Sequence, residues 1–130
     1  MRNIYIFISV FFIVGCHSTP HPYPEIELVK VYYLSPNILT PIRTDRKSIR
    51  LVEPYTIEDK ATLDSLRFFI NNLVEFEGEY HEGSIVLSCD FYFKDGSKEN
   101  LLYDLGEIVF DGEVYYKDND LIRILSSDPR

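Results

Sequence analysis

The pattern of apolar and polar positions predicts a strand-rich chain with one long helix. Residues 25–34 (EIELVKVYYL) are rich in β-branched and aromatic side chains and are apolar on both faces, which predicts a strand in the interior of a sheet. Within residues 41–52 the second half, residues 49–52, predicts another short strand, which Pro54 closes. The first part of the domain is therefore expected to contribute two strands.

The long helix is predicted over residues 56–77, where apolar side chains recur at intervals of three and four. Thr56 is placed to cap its first turn, with Asp59 three residues on as in a capping box. Gly78 is a suitable stop at the other end. The apolar stripe consists of Leu63, Leu66, Phe69, Ile70, Leu73 and Phe76. A stripe of this width predicts that the helix packs on the core.

A C-terminal β-meander is predicted over residues 84–117, because strand-like runs are separated by the turn pairs Asp95-Gly96 and Asp111-Gly112. In the first run, one face carries Ile85, Leu87, Cys89, Phe91 and Phe93, and the other carries Ser88 and Asp90. Residues 98–103, 108–110 and 114–116 predict the returning strands, and residues 121–125 a short terminal helix. The fold class is therefore α+β, with one long helix packed on an antiparallel sheet.

The first fifteen residues have the layout of a secretory signal. Arg2 gives a positive start, residues 4–14 are apolar apart from Ser9, and the small residue Gly15 follows. The apolar run is 11 residues long, whereas a bilayer-spanning helix needs about 20. A buried strand or helix of the fold is the alternative interpretation.

The segment Ile13-Val14-Gly15-Cys16 resembles the lipobox of bacterial lipoproteins. The resemblance implies that the Cys16 thiol takes a diacylglyceryl group and that the signal is cut just before it. Several acyl chains hold a protein firmly on a membrane. The expected organisation is a signal peptide (1–15), a lipidated cysteine with a Pro-rich tether (16–24) and a single domain (25–130). The expected location is the extracytoplasmic side of the cell membrane or the outer membrane.

The charge balance excludes nucleic acid as a partner. Without residues 1–15 the chain has 12 basic and 21 acidic residues, a net charge of −9 with neutral histidines. Nucleic acid requires a basic surface. One segment is locally positive and could dock an acidic partner; its basic residues are Arg43, Arg46, Lys47 and Arg50. The alternative is an exposed strand edge that its charges keep unpaired.

Few residues of the chain are candidates for catalysis or for binding a cation. Cys89 lies mid-strand on the apolar face, which predicts a small buried hydrophobe. His81, flanked by Glu79 and Glu82, could act as a base or bind a cation weakly, and a solvated loop is the alternative. The chain has no Gly-rich phosphate loop, CxxC, HExxH or GxSxG motif. We therefore predict no catalytic residue, no metal centre and no cofactor.

These features predict a membrane-anchored binding or accessory module of the cell envelope that acts on another envelope protein. An inhibitor or immunity-type role fits the same features. The alternatives are an envelope hydrolase that uses His81 with nearby carboxylates, and a purely structural envelope lipoprotein.

Overall fold

The computed structural model describes residues 22–35 and 43–127. The predicted signal peptide, Cys16 and the tether up to residue 21 lie outside the described residues. The described chain is α+β, with a six-stranded sheet, two α-helices and one 3-10 helix. The elements are β1 (Ile26–Tyr33), the 3-10 helix (Ser48–Leu51), β2 (Tyr55–Ile57), α1 (Lys60–Asn71), β3 (Leu87–Phe93), β4 (Lys98–Tyr103), β5 (Ile108–Phe110), β6 (Glu113–Tyr115) and α2 (Asn119–Leu125).

The strands follow the order β2-β1-β3-β4-β5-β6, and all neighbours are antiparallel. The order of β3 to β6 is consistent with the predicted meander. The interior position predicted for β1 is confirmed, since β2 and β3 flank it. At the second turn Asp111 and Gly112 have φ angles of 52° and 75°. Two consecutive positive φ values are what a two-residue hairpin turn of the favoured twist requires.

Both α-helices pack on the same face of the sheet, here called the helix face. The predicted alternation of core-facing and opposite-facing side chains in β3 is confirmed. The residues of β3 that face the helices are Leu87, Cys89, Phe91 and Phe93. The helices add Leu63, Leu66 and Ile70 from α1 and Leu121 and Leu125 from α2. Burial of these side chains is the main favourable contribution to folding. None of the helices among the described residues is both long and apolar enough to cross a bilayer.

The start predicted for the long helix is wrong. Residues 55–57 form β2 at the edge of the sheet, with Thr56 opposite Lys30 of β1. Helix α1 begins only at Lys60, because Asp59 rather than Thr56 caps it. The Asp59 carboxylate accepts hydrogen bonds from the backbone amide and hydroxyl of Thr62 (3.0 and 2.8 Å). Pairing with a distant strand thus overrides the local helical period.

The end predicted for this helix is also wrong, for the same kind of reason. Beyond Asn71 the chain turns toward β6. The amide of Phe76 donates to the Val114 carbonyl (2.9 Å), and the amide of Tyr116 donates to the Val74 carbonyl (2.8 Å). Part of the predicted apolar stripe therefore lies beside the sheet, where the Phe76 and Tyr116 rings meet edge to face at 5.2 Å.

The strand predicted at residues 49–52 is replaced by the 3-10 helix. The Asp45 carboxylate accepts hydrogen bonds from the backbone amides of Lys47 and Ser48 (3.0 and 2.8 Å). The Ile49 amide donates to the Asp45 carbonyl (3.1 Å), which closes the turn. An aspartate that binds the backbone two or three residues on favours a turn over a strand.

The position of Cys89 leads to a first prediction. Its side chain is fully buried, and burial raises the pKa of its thiol well above the usual range. In the Cys16→Ser chain, which isolates this thiol, alkylating reagents should modify Cys89 only after unfolding in urea. Cys89→Ala should lower the free energy of unfolding by about 1 kcal/mol or somewhat more, because it leaves a cavity. Fast labelling of the folded chain would contradict the burial.

Candidate binding surface

The face of the sheet opposite the helices, here called the second face, has a polar centre. In the ladder Asp90 of β3 lies opposite Lys30 of β1 on one side and Asn100 of β4 on the other. Tyr32 and Tyr92 share this face with them, since side chains on one face recur every two residues. The second face therefore brings three neighbouring strands together around one carboxylate.

Asp90 is almost fully buried and fully paired. Its side chain is 3% exposed. The Arg50 guanidinium donates to both of its oxygens, Nη1 to Oδ2 at 2.6 Å and Nη2 to Oδ1 at 2.7 Å. Asn100 Nδ2 donates to Oδ1 at 3.1 Å, and Lys98 Nζ lies 3.8 Å from Oδ2. A bidentate pair of this kind is among the stronger and more directional polar contacts in proteins.

These partners keep Asp90 ionised. Burial alone would raise the pKa of Asp90, since a charged carboxylate loses its hydration there. The hydrogen bonds from Arg50 and Asn100 and the positive charge of Lys98 outweigh burial and hold this pKa below its usual range. The hydrogen bonds between Arg50 and Asp90 in turn raise the pKa of Arg50. The pair is therefore charged at neutral pH.

Part of the second face is covered by residues 43–52, which carry the 3-10 helix. Ile49 is fully buried in a small cluster with Tyr32, Ile85 and Leu102. The Ile85 amide donates to the Thr44 carbonyl (2.8 Å), and this bond fastens the covering segment to the chain before β3. Arg50 thus reaches Asp90 from a segment that its neighbour Ile49 fixes in place.

The remainder of the second face is open, and we call it the open patch. It consists of Leu28, Lys30, Tyr92 and Lys98, with Arg50 at its border, and each is half-buried or exposed. Cations lie over the aromatic rings: Lys98 Nζ is 5.2 Å from the centre of the Tyr92 ring, and Arg50 Cζ is 4.7 Å from that of Tyr32. Three cations against one buried carboxylate make the open patch locally positive.

The four basic residues predicted to bind a partner have different surroundings. Arg43 donates to the backbone carbonyls of Glu82 and Gly83. Arg46 forms an ion pair with the Glu82 carboxylate at 2.7 Å. Arg50 is paired with Asp90, as described above, and Lys47 has an exposed side chain. The strand-edge interpretation of this segment is wrong, because residues 48–51 form a 3-10 helix and not a strand. Of the four basic residues, only Arg50 borders the open patch.

The predicted acidic loop around His81 does not converge on one point. The His81 Nε2 lies 3.6 Å from a Glu79 carboxylate oxygen, and both side chains are at least 80% exposed. Glu82 is instead engaged by Arg46. Residues 22–35 and 43–127 hold no group of three side chains placed to bind a metal ion. The arrangement gives no support to a cation site or a catalytic base here.

Sequence reasoning did not identify Asp104, which orders the loop before β3. Its carboxylate accepts hydrogen bonds from the amides of Gly83 (2.7 Å), Gly106 (3.0 Å) and Glu107 (3.1 Å). The Tyr80 hydroxyl donates to it as well (3.3 Å), and burial together with this carboxylate raises the pKa of Tyr80 to about 12. These bonds are structural, since they fasten residues 80–83 to the turn that connects β4 and β5.

A groove of about 590 Å³ lies at the β2 edge, between α1 and α2. Its walls include Ile57, Ala61, Ser65 and Ile124. The carboxylate of Asp59, which also borders it, is already used as the helix cap. Its polar groups are in part used by α1 itself, since Thr62 donates to Asp59 and the Ser65 hydroxyl donates to the Ala61 carbonyl (3.1 Å). The open patch, where three cations gather, is the better candidate for recognition.

Sequence reasoning also missed Lys30, Tyr92 and Lys98 as parts of one surface. One signal for such a site was present. Asp90 is the only charged residue within residues 85–93, and a charged group in such a strand requires a partner of opposite charge if it is buried. Comparison of the chain with protein-family models, with curated proteins and with solved structures gives no match.

Removing Arg50 should destabilise the protein, because the buried Asp90 carboxylate loses its bidentate partner. We expect Arg50→Met to lower the free energy of unfolding at pH 7 by about 2–3 kcal/mol. A fully buried pair would lose about 3–5 kcal/mol, and water around the half-exposed Arg50 reduces that figure. Arg46→Met is the matched control, since it removes an exposed pair and should cost about 0–1 kcal/mol. Urea unfolding measures both.

The difference caused by Arg50→Met should depend on pH. Asp90 has a lowered pKa in the folded state, so its ionic contribution is present above the unfolded pKa of about 3.9. That contribution is lost as the pH falls through the lower folded pKa. The deficit should therefore be full at pH 7 and smaller near pH 3. Equal costs for Arg50→Met and Arg46→Met at pH 7 would show that the Asp90 pair does not stabilise the fold.

Proposed function

We propose that this protein is a lipid-anchored, non-catalytic binding module of the cell envelope, held on its membrane through Cys16. In this proposal the antiparallel sheet, which includes the C-terminal meander, is a platform with the helices packed on one face and the open patch on the other. The patch binds an acidic segment of another envelope protein. An inhibitor or immunity-type role remains compatible with the same surface.

The observation that supports this proposal is the charge of the open patch. The whole chain has a formal net charge of −8, yet Lys30, Arg50 and Lys98 gather on one side around a single buried carboxylate. Complementary charge steers encounters and excludes partners of the wrong sign. Tyr92 adds an amphipathic ring, a residue type that is enriched at interfaces.

The hydrolase alternative has less support. A general base must come within hydrogen-bond reach of its substrate and is oriented by a second group. The exposed His81 contacts only an exposed Glu79 among its charged neighbours in the described chain, and it does not line the groove at β2. For a purely structural lipoprotein, the positive open patch would have no evident purpose.

The lipid anchor predicts a defined mass and location. In the native host, the membrane fraction should contain a chain of residues 16–130 that carries acyl chains, as measured by intact-mass spectrometry. Cys16→Ser should abolish the acyl mass and either release the protein or leave it uncut. Cys89→Ala is the matched control, since it removes the other cysteine and should leave processing unchanged. Normal processing and retention of Cys16→Ser would contradict the anchor.

The open patch predicts weak binding of an acidic peptide. In ¹⁵N NMR titrations at low salt, decaglutamate should shift the amides of residues 28–32, 90–92 and 98–100, and decalysine should not. The double variant Lys30→Glu/Lys98→Glu should lose these shifts, because it reverses the charge of the patch. Added salt should weaken binding of the wild-type chain, since exposed charges are screened.

Lys60→Glu/Lys117→Glu is the control for this titration. It makes the same change in net charge on the helix side of the domain, where Lys60 lies on α1 and Lys117 lies over the Tyr103 ring. This control should keep the shifts caused by decaglutamate. Shifts spread evenly over the surface, or their loss in both double variants, would contradict a specific patch.

A further inference from the structure

Tyr23, predicted to belong to the tether, is fastened to the domain by three hydrogen bonds. Its amide donates to Asn71 Oδ1 (2.7 Å), and Arg67 Nε donates to its carbonyl oxygen (2.9 Å). Its phenol donates to Asp111 Oδ2 (3.0 Å). These partners come from helix α1 and from the turn between β5 and β6, so the residue connects two parts of the fold.

The Tyr23 ring also extends the aromatic core. It stacks on Phe93 with ring centres 5.7 Å apart and meets Phe110 edge to face at 5.0 Å. Both phenylalanines belong to the helix face. Burial, and then the hydrogen bond to Asp111, raise the pKa of Tyr23, so the phenol keeps its proton and remains a donor at neutral pH. We call this set of contacts the Tyr23 clasp.

The Tyr23 clasp lies at one end of the sheet. Phe93 ends β3 just before the Asp95-Gly96 turn, and Phe110 ends β5 just before the Asp111-Gly112 turn. We call this the turn end. The opposite end, the loop end, carries residues 79–84 and 104–107, which Asp104 holds together. The chain therefore enters the domain at the turn end and on the helix face.

The reach of the tether follows from its length. Tyr23 is the seventh residue after Cys16. A fully extended chain spans at most about 3.3–3.6 Å per residue, so this tether reaches about 25 Å. A folded chain of about 100 residues has a radius of gyration of about 13 Å and is therefore wider than the tether is long. A domain on so short a tether keeps its point of entry nearest to the anchor.

We infer that the Tyr23 clasp ends the tether at Pro22 and turns the turn end toward the membrane, so that the open patch is presented to proteins attached to that same membrane. This inference rests on the proposed lipid anchor. The clasp belongs to the helix face and the open patch to the second face, so the chain enters the domain on the face that does not carry the patch. The partner is an acidic segment of a membrane-held protein beside the domain.

The test measures which end of the domain lies nearer the bilayer. The chain of residues 16–130, which contains every described residue, is coupled through Cys16 to a maleimide lipid in phosphatidylcholine vesicles. Azidophenylalanine at Glu113 (turn end) or at Glu79 (loop end) carries a donor dye, and a labelled lipid is the acceptor. Both positions are exposed. Energy transfer should be more efficient from position 113 than from position 79.

Two variants test the cause of this difference. A flexible insertion of thirty Gly and Ser residues between Pro20 and His21 leaves the clasp intact but adds roughly 30 Å of root-mean-square reach. It should abolish the difference. Tyr23→Ala, which removes the ring and phenol contacts, should reduce it. Equal transfer from both positions in the parent chain, or no effect of the insertion, would overturn the inference.

Failure of the proposed anchor would have a different signature. Because the vesicle experiment attaches Cys16 chemically, it reports the orientation set by the Tyr23 clasp whether or not the host lipidates the chain. Unlipidated protein in the host with unequal transfer on vesicles would refute the anchor and keep the geometry. Lipidated protein in the host with equal transfer on vesicles would keep the anchor and refute the orientation.

Discussion

The burial of one carboxylate constrains the second face of this protein. Asp90 lies in an interior strand, where an unpaired charge would cost several kcal/mol. Its main partner, Arg50, lies forty residues earlier in the chain and can reach it only if the segment around Ile49 lies across the sheet. The ion pair and the small apolar cluster therefore require each other, and together they decide how much of the second face stays covered.

This arrangement gives the two faces of the sheet different roles. The helix face is sealed by α1 and α2 and has the larger core, while the covering segment leaves Lys30, Tyr92 and Lys98 accessible on the other. The bidentate contact with Asp90 also holds the Arg50 guanidinium over the Tyr32 ring. A side chain that is fixed before binding loses less conformational entropy when a partner arrives. The Arg50–Asp90 ion pair thus both stabilises the fold and fixes one side chain at the border of the patch.

Much of the sheet was predictable because its signals are local. The alternation along β3, the Asp-Gly turns and the strand at 98–103 can each be recognised from residues that are neighbours in the sequence. The errors have non-local causes. Residues 56 and 74–76 satisfy a helical period, yet they pair with β1 and β6 instead. The role of Asp90 depends on Arg50, and the position of that residue could not be derived from the pattern around Asp90.

Aspartates also explain part of the acidity that composition alone attributes to a solvated surface. The carboxylates of Asp45, Asp59 and Asp95 each accept a backbone amide two or three residues on, and these bonds lower the pKa of all three. A group with a lowered folded pKa stabilises the fold above its unfolded pKa and stops doing so as the pH falls through the folded value. Acid would therefore weaken the covering segment, the start of α1 and the β3–β4 turn over one pH range. The negative charge of this protein is in part the means by which its turns are closed, while in the proposed function the few cations gathered on the second face serve recognition.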